Sequence, residues 1–577
     1  MTAPAIPRLA LPFDLDLVLP GSKSVAHRVL VAAALAEGPT RIANATPGDD
    51  VRRTFEGLRA LGFDLRLLDE TAGEVAVAGG PPAAREGGRI DCGNSGTSLR
   101  LLISVAALVD GRWELDGDDD LRRRPVGDLV RAWRDLGLEI EDTDGRPPIR
   151  LRGGGVRGGA ITLRAAASGQ FLSSLLLAGA SLPEGLEIEL EGPLASPGYV
   201  ALTLETLDRF DVPAAVEGAK YRVPPARRPG GGNVLVESDW SAAGVWSVLS
   251  EITGGRYRDP GLRADSRQSD RSLEEVLLAL RGDGERVIDL SRMPDQLMNL
   301  AVLAARRRGR TRFVGIANLR HKECDRLAVT VRELGRCGFR AEEEAEGIAV
   351  SGGDAPRPAV VDPERDHRVA MAFAMLGALG CDVRVADQAC VAKSYPDFFA
   401  DLERAAASPR CLALIGMRGA GKSSIGASLA RALDLAFLDV DRVFEAEVAP
   451  IAAFVAARGW PAFRAEEAEL TESLLRPGRV VSLGGGAVET PAVREALAER
   501  ALVLWVDEDL ATLRERIAAD ASRPSVTGAD PVEEAAQLAE RRRPLYESLA
   551  AIRLPPGEEA SARLERALKE VRATCTW

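Results

Sequence analysis

Two sets of residues could handle phosphate. The run Gly416-Met417-Arg418-Gly419-Ala420-Gly421-Lys422-Ser423-Ser424 follows the short apolar stretch Cys411 to Ile415 and opens a helical pattern that reaches Leu433. This is the phosphate-binding loop spacing GxxxxGK[ST] in its strand-to-helix setting. Its glycines let backbone amides of Gly419, Ala420 and Gly421 wrap phosphates, Lys422 reaches the β- and γ-phosphates, and Ser423, beside Ser424, offers an oxygen to Mg²⁺. The second set is a series of polar or Gly-rich clusters: Gly21-Ser22-Lys23-Ser24, Gly93-Asn94-Ser95-Gly96-Thr97, Ser168-Gly169-Gln170, Asp366-His367-Arg368, Arg124-Pro125, Lys322-Glu323 and Lys393-Ser394. Each stands at the start of a helical pattern, where unpaired N–H groups and the positive end of the helix dipole attract anions.

These clusters must supply local positive charge to a protein that has none to spare. The 577 residues carry a net charge of −12, which argues against non-specific binding to nucleic acid or anionic membranes. Apolar runs fall short of the ~20 residues that span a bilayer, and no signal-peptide pattern opens the chain, so a cytoplasmic location is expected. Seven cysteines without a CxxC pair read as reduced and structural. Only six lysines accompany 68 arginines, and four of them, Lys23, Lys322, Lys393 and Lys422, fall in the phosphate-handling clusters. There a compact ammonium does what a planar guanidinium cannot.

The elements that position the clusters repeat. An apolar helix, a Gly turn, a strand and a second helix recur from Gly21, Gly93, Ser168, Ser238, Pro294 and Asp366. In the first copy the spacing predicts a helix over 26–36, a strand over 41–45 and a helix over 50–61. Six such units predict a pseudosymmetric α/β architecture of two lobes, three units each, with the break near 227–238. The repeat ends at about 405–410, where the phosphate-loop segment takes over.

That last segment carries Phe437-Leu438-Asp439-Val440-Asp441, Ala462-Phe463-Arg464-Ala465-Glu466-Glu467, Ser482-Leu483-Gly484-Gly485-Gly486, Ser522-Arg523-Pro524 and Arg542-Arg543-Pro544. No lysine follows an asparagine, so the usual guanine reader is missing, and about 170 residues are too few for a motor. Together the strings resemble shikimate kinase over residues 410 to 555. The resemblance implies that Asp441 binds the acceptor hydroxyls and acts as or orients the base. Arg464 and Arg542 clamp the shikimate carboxylate beside Gly485 and Gly486. Ser423 and Asp439 serve Mg²⁺, and Arg523 in a lid touches ATP phosphates. A planar carboxylate suits guanidinium forks.

The repeat half resembles the enolpyruvyl transferases, and among them 5-enolpyruvylshikimate-3-phosphate (EPSP) synthases, over about residues 12 to 405. The carrying strings are Leu19 to Arg28, Gly93 to Arg100, Arg123 to Gly127, Ser168 to Phe171, Met293 to Asp295, Asn318 to Leu327, Asp366 to Arg368 and Ala392 to Asp397. The family fold, two lobes of three βαβαββ units, matches the repeat; behind it stands the P-loop kinase with a parallel sheet. The implied division is a transferase domain over 1–406, with lobes of about 20–237 and 1–19 plus 238–406, and a kinase domain over 407–577.

The implied reaction moves the enolpyruvyl group of phosphoenolpyruvate to the 5-hydroxyl of shikimate 3-phosphate and releases phosphate, without a metal or other cofactor. By resemblance Lys23, Ser24, Arg28, Ser168, Gly169, Gln170, Ser196, Tyr199, Asp295, Asn318 and Lys322 hold shikimate 3-phosphate. Phosphoenolpyruvate falls to Lys23, Asn94, Gly96, Arg124, Gln170, Arg326, Arg368 and Lys393. Asp295, Glu323 and Lys322 are the catalytic candidates, as acid and base groups tuned by cationic neighbours. Gly169 stands where the family has serine, and Pro197-Gly198 changes the middle of the Ser196-to-Tyr199 string. The Lys-Glu-x-Asp-Arg and Asp-His-Arg strings and the appended kinase favour this reading over the cell-wall transferase of the same fold. Expected partners are therefore small molecules only: shikimate, ATP, shikimate 3-phosphate and phosphoenolpyruvate.

Retention of Gly96 implies inhibition by glyphosate, a competitor at the phosphoenolpyruvate site of this family. Synthase turnover is expected to fall as glyphosate is added; undiminished turnover contradicts it.

Overall fold

The computed structural model describes residues 3–9, 11–45, 48–226, 230–518 and 530–573. The chain divides into two compact units, one of Met1–Ile6, Leu17–Val248 and Arg258–Ala400, the other of Pro7–Asp16, Leu249–Tyr257 and Asp401–Trp577.

The six first helices of the expected repeat are Lys23–Ala34, Gly96–Leu108, Gln170–Gly179, Trp240–Thr253, Leu297–Arg306 and His367–Ala378. Six second helices follow them, Asp49–Ala60, Gly127–Asp135, Gly198–Arg209, Leu273–Ala279, Arg326–Arg336 and Phe398–Ala407. The first copy's helix begins at Lys23, three residues earlier than its apolar period suggests, so Lys23 and Ser24 lie in its first turn. Its strand, Thr40–Ala43, and its second helix, Asp49–Ala60, are likewise displaced by about a residue.

Four repeats own four-stranded sheets of mixed pairing. In the first, Gly232–Leu235 runs parallel to Thr40–Ala43, which pairs antiparallel with Glu74–Val77, itself paired with Leu65–Asp69. The fourth and sixth repeats depart from the pattern, for among the described residues their sheets have two strands each, Asp14–Asp16 with Arg256–Arg258 and Ala359–Val361 with Val383–Val385. The chain leaving each of their second helices is already committed elsewhere. After Ala279 it enters Arg286–Asp289, a strand of the fifth repeat, and after Ala407 it enters Cys411–Ile415, the central strand of a five-stranded sheet.

In the first unit, first helices are apolar nearly all round and pack on one another: Val29, Leu30, Ala33, Leu99, Leu102, Ala106, Leu172 and Leu175 are at most 2% exposed. Helices buried on every face leave only their ends for polar chemistry, which is why the charged clusters sit at N-termini. Trp133 fastens one second helix to this core. It is fully buried, and its Nε1 donates to Ser104 Oγ at 2.9 Å.

The second unit holds a five-stranded parallel sheet in the order Ala436–Asp439, Arg479–Ser482, Cys411–Ile415, Ala501–Val506, Ile552–Leu554. Its central strand is at most 1% exposed, as a parallel strand covered on both faces must be. The phosphate loop leaves the carboxyl end of that strand, the edge where open α/β sheets bind ligands. The helical stretch Ile451–Leu474 breaks at Gly459, whose φ is 82°, so a fresh helix starts just before Arg464.

Trp133→Ala removes a buried indole and the hydrogen bond it donates to Ser104, whose hydroxyl keeps Ser174 Oγ as a partner. A loss of about 3–5 kcal/mol is expected in urea unfolding of the first unit, and a loss under about 1 kcal/mol contradicts this packing.

Candidate functional site

In the first unit, three carboxylates, two of them from distant segments, converge on Arg326, which is 1% exposed at the first turn of its helix. Its Nε donates to Asp366 at 2.7 Å, one terminal nitrogen to Asp295 at 2.7 Å and the other to Glu323 at 2.8 Å. Asp366 is held in turn as the cap of the helix His367–Ala378, accepting from Arg368 N at 2.9 Å. Asp295 also lies 3.5 Å from Lys322 and 3.5 Å from Arg368, and accepts from the Tyr199 hydroxyl at 3.0 Å. Glu323 reaches Lys393 at 3.3 Å.

Burial pushes both carboxyls up, but the cations win. Lys322, Arg368 and Arg326 hold Asp295 well below the ordinary carboxylate range. Glu323 is held well below it by Arg326, Lys393 and Arg124. The same exchange lowers Lys322, where burial outweighs the pull of Asp295.

A second knot ties the two remaining lysines of this unit's clusters. Asp50, 5% exposed, accepts from Lys23 Nζ at 3.0 Å and lies 3.7 Å from Lys393 Nζ. Lys393 also donates to the Asn94 carbonyl at 3.1 Å, and Arg124 donates to the Asn94 side chain. Gly96 opens the helix beside them, and a Cβ there would lie 2.8 Å from Arg124 and 3.1 Å from Arg100. Arg100 donates to Gln170 Oε1 at 2.8 Å, and Gln170 donates to Thr97 Oγ1 at 2.9 Å. So Lys23, Asn94, Gly96, Arg124, Lys393, Glu323, Arg326, Asp295, Lys322, Arg368 and Tyr199 form one linked set.

Other expected residues stand at its margin. Arg28 is 1% exposed and turned into protein, donating to Thr203 Oγ1 at 2.8 Å and to the Ser24 carbonyl at 2.6 Å, over the Tyr199 ring; burial lowers its pKa to about 10. Ser168 accepts from Gln170 N at 3.2 Å, and Asn318 Oδ1 is buried without a hydrogen-bond partner among the described residues. Gly169 has a steric reason to be glycine, since a Cβ would come within 2.4 Å of the Ala195 carbonyl oxygen, next to Ser196 at φ 49°. Tyr199, Ser24 and Asp295 line a small pocket with Ser241, Ser269 and Asp270.

In the second unit, Asp441, Arg464, Gly484, Gly485, Gly486 and Arg542 line one pocket. Glycine is required there. A Cβ at 485 would sit 2.9 Å from Arg418 N, and one at 486 would sit 2.0 Å from Arg464 and 2.8 Å from Arg542. Among three adjacent arginines, Arg542 alone is enclosed: its side chain is 4% exposed against 58% for Arg541 and 49% for Arg543. It forks onto Glu489 at 2.9 and 2.7 Å, while Arg464 pairs with buried Glu467.

In the phosphate loop, Gly421 adopts φ 92° at the helix start, a conformation that spares glycine the strain of a side chain. Gly419 and Ala420 precede it, and Ser424 follows in the first helical turn. Lys422 Nζ donates to the carbonyls of Gly416 and Met417, each at 2.9 Å. Ser423 Oγ donates to Asp439 Oδ2 at 2.5 Å, which places a hydroxyl and a carboxylate side by side, a donor set that fits a hard cation such as Mg²⁺. Arg523 lies outside the described residues.

Sequence reading missed Asp50, Asp366, Arg100, Glu467 and Glu489 as members of these sites. Asp366 stood inside a recognised string and Glu467 three residues from Arg464, the spacing of helix-face neighbours. Asp50 and Glu489 had no local signal, because their partners come from distant segments.

Comparison with known proteins finds a family for each of the two parts of the chain. The sequence model of "EPSP synthase (3-phosphoshikimate 1-carboxyvinyltransferase)" matches residues 13–402, and that of "Shikimate kinase" matches residues 418–572. A 3-phosphoshikimate 1-carboxyvinyltransferase of Methanopyrus kandleri is 38% identical over 66% of this chain and 94% of its own length. The pentafunctional AROM polypeptide of Yarrowia lipolytica is 30% identical over 92% of this chain, which spans 38% of that longer protein. The solved EPSP synthase of Acinetobacter baumannii superposes with a TM-score of 0.58 at 26% identity, over 70% of this chain and 97% of that one. The chain therefore belongs to the EPSP synthase family and carries a shikimate kinase domain behind its synthase domain, an AROM-like fusion of two enzymes of aromatic biosynthesis.

Proposed function

We propose that the chain performs two consecutive steps, with domains over 1–406 and 407–577. The C-terminal domain phosphorylates shikimate with ATP, and the N-terminal domain transfers the enolpyruvyl group of phosphoenolpyruvate to the 5-hydroxyl of the resulting shikimate 3-phosphate. The observation that carries the synthase reading is the buried network in which Asp295 and Glu323 are each surrounded by cations.

The polarity of that network suggests which carboxylate does what. Asp295, with Lys322 and Tyr199 beside it, faces the cavity shared with Ser24 and takes the proton of the 5-hydroxyl. Shikimate 3-phosphate is held by Lys23, Ser24, Arg28, Ser168, Gly169, Gln170, Ser196, Tyr199, Asn318 and Lys322, of which Ser24 and Tyr199 line that cavity. Glu323, between Arg326 and Lys393, gives a proton to the enol carbon and later removes one from the methyl group. Phosphoenolpyruvate is held by Lys23, Asn94, Gly96, Arg124, Gln170, Arg326, Arg368 and Lys393. An ionised Glu323 cannot be an acid, yet the cations that keep it ionised are those expected to take the incoming charges. Phosphoenolpyruvate neutralises Arg124, Arg326 and Lys393, removes their hold, and lets burial raise the Glu323 pKa toward the working pH. No cofactor enters this step.

In the kinase domain, Arg464 and Arg542 grip the shikimate carboxylate, Asp441 orients the acceptor hydroxyl, and Gly485 and Gly486 let the ring approach backbone. Lys422 exchanges its two carbonyls for nucleotide phosphates. Mg²⁺, brought with ATP, would be held through Ser423 and Asp439 and neutralise phosphate charge. The −12 charge, and the lack among the described residues of any helix long and apolar enough to cross a membrane, support small-molecule partners alone and a cytoplasmic location.

Two assays on the whole chain test this. Asp295→Asn is expected to lower phosphate release from shikimate 3-phosphate and phosphoenolpyruvate by at least about 10²-fold while shikimate phosphorylation continues; Asp441→Asn should do the reverse. Loss of both activities in either variant, or of neither, contradicts the assignment. Arg326→Leu leaves buried carboxylates uncompensated, at about 3–5 kcal/mol. Depressed carboxyls stabilise the fold above their ordinary pKa and lose that contribution as pH falls. Without Arg326 the folded-state pKa values of Asp295 and Glu323 move up toward their unfolded values, so this part of the acid loss shrinks: the unfolding free energy of Arg326→Leu should fall less steeply than that of the parent as pH drops through the ordinary carboxylate range, and an equally steep fall contradicts it.

A further inference from the structure

His27 touches neither proposed substrate, yet it is fully buried in the helix that begins with Lys23. Its Nδ1 lies 2.7 Å from Thr54 Oγ1 on the helix Asp49–Ala60. Thr54 Oγ1 donates to Ser98 Oγ at 2.9 Å, and Ser98 Oγ lies 2.7 Å from Ser95 Oγ and 2.9 Å from the Asp50 carbonyl oxygen. Ser95 caps the helix Gly96–Leu108 by accepting from Ser98 N at 3.2 Å. One hydrogen per hydroxyl sets the direction. Thr54 spends its hydrogen on Ser98, so Nδ1–H of His27 donates to Thr54. Burial lowers the His27 pKa to about 3 and keeps the ring neutral, and Nε2 has no partner among the described residues.

The chain of donors ends on two segments that carry anion-handling groups. One is Asp50, whose carboxylate joins Lys23 and Lys393. The other is the turn Asn94-Ser95-Gly96, where Asn94 receives both Lys393 and Arg124. We propose that His27 is a positioning residue for the phosphoenolpyruvate half of the synthase site, acting through Thr54 and Ser98 to fix the spacing of Lys23, Asp50 and the Asn94 turn. This rests on the reading that Lys23, Asn94 and Lys393 hold phosphoenolpyruvate.

Steady-state kinetics on the full chain decide it, with kinase activity as the internal measure of native enzyme. His27→Leu keeps bulk and removes the donor; His27→Asn keeps an N–H close to the place of Nδ1. His27→Leu should raise KM for phosphoenolpyruvate about three- to tenfold, the scale of one hydrogen bond, with kcat and KM for shikimate 3-phosphate within about twofold. His27→Asn should restore most of the loss, and Thr54→Val should reproduce the leucine variant's signature if that variant does not fold. Equal effects of Leu and Asn, or parallel rises in KM for both substrates, overturn the proposal. Asn94→Ala is the control: an unchanged KM for phosphoenolpyruvate there overturns the underlying site reading and the proposal with it. A normal Asn94→Ala response with no KM change in His27→Leu and Thr54→Val overturns the His27 role alone.

Discussion

Sites built for two polyanions must gather like charges before any anion arrives. Two ammonium groups about 4 Å apart repel by about 4 kcal/mol at an effective dielectric of 20, and several such pairs exceed the margin by which domains stay folded. The protein answers with resident carboxylates. Asp50 stands against both Lys23 and Lys393, and Arg326 lies within a triangle of Asp295, Glu323 and Asp366. Helix N-termini add backbone dipoles of the same sign as the cations, so the counter-charges have to be side chains. An acidic chain with a cationic cleft is therefore no contradiction, because the acid residues in the cleft are what make the cations tolerable.

The kinase domain reaches the same end on an unrelated scaffold. Arg464 rests on Glu467, Arg542 on Glu489, and Lys422 on two carbonyls of its own loop. On the proposed reading, substrate binding in both domains is an exchange of partners instead of a capture by bare charge. The exchange changes the proton affinity of any carboxylate that loses its cation, and this turns electrostatic storage into acid–base chemistry.

The clusters at helix starts were legible because each is contiguous and set in a strong apolar period. The strand-to-helix context of Lys422 and the six first helices are cases in point. What was not legible arises from pairing across the fold. Glu489 is 53 residues from Arg542, and nothing near it marks it as the partner of that enclosed arginine. Asp50 looks like any helix-opening acid until Lys23 and Lys393 are placed around it. The two-stranded sheets of the fourth and sixth repeats were hidden for a related reason, since a repeat predicts its own strands but not that the chain after its second helix is taken by another sheet. Gly169 read as a lost hydroxyl, and the nearby Ala195 carbonyl shows that a side chain there has no room.

The account's central claim is that substrate charge replaces the cations' resident partners and thereby raises the Glu323 pKa. Carboxyl ¹³C titration, assigned by Glu323→Gln, measures this directly in the free protein and in the presence of shikimate 3-phosphate with inorganic phosphate. Glu323 should titrate below the ordinary value of about 4.3 in the free protein and move upward when both phosphates are bound. A Glu323 carboxyl that titrates at the same pH in both states would contradict the account.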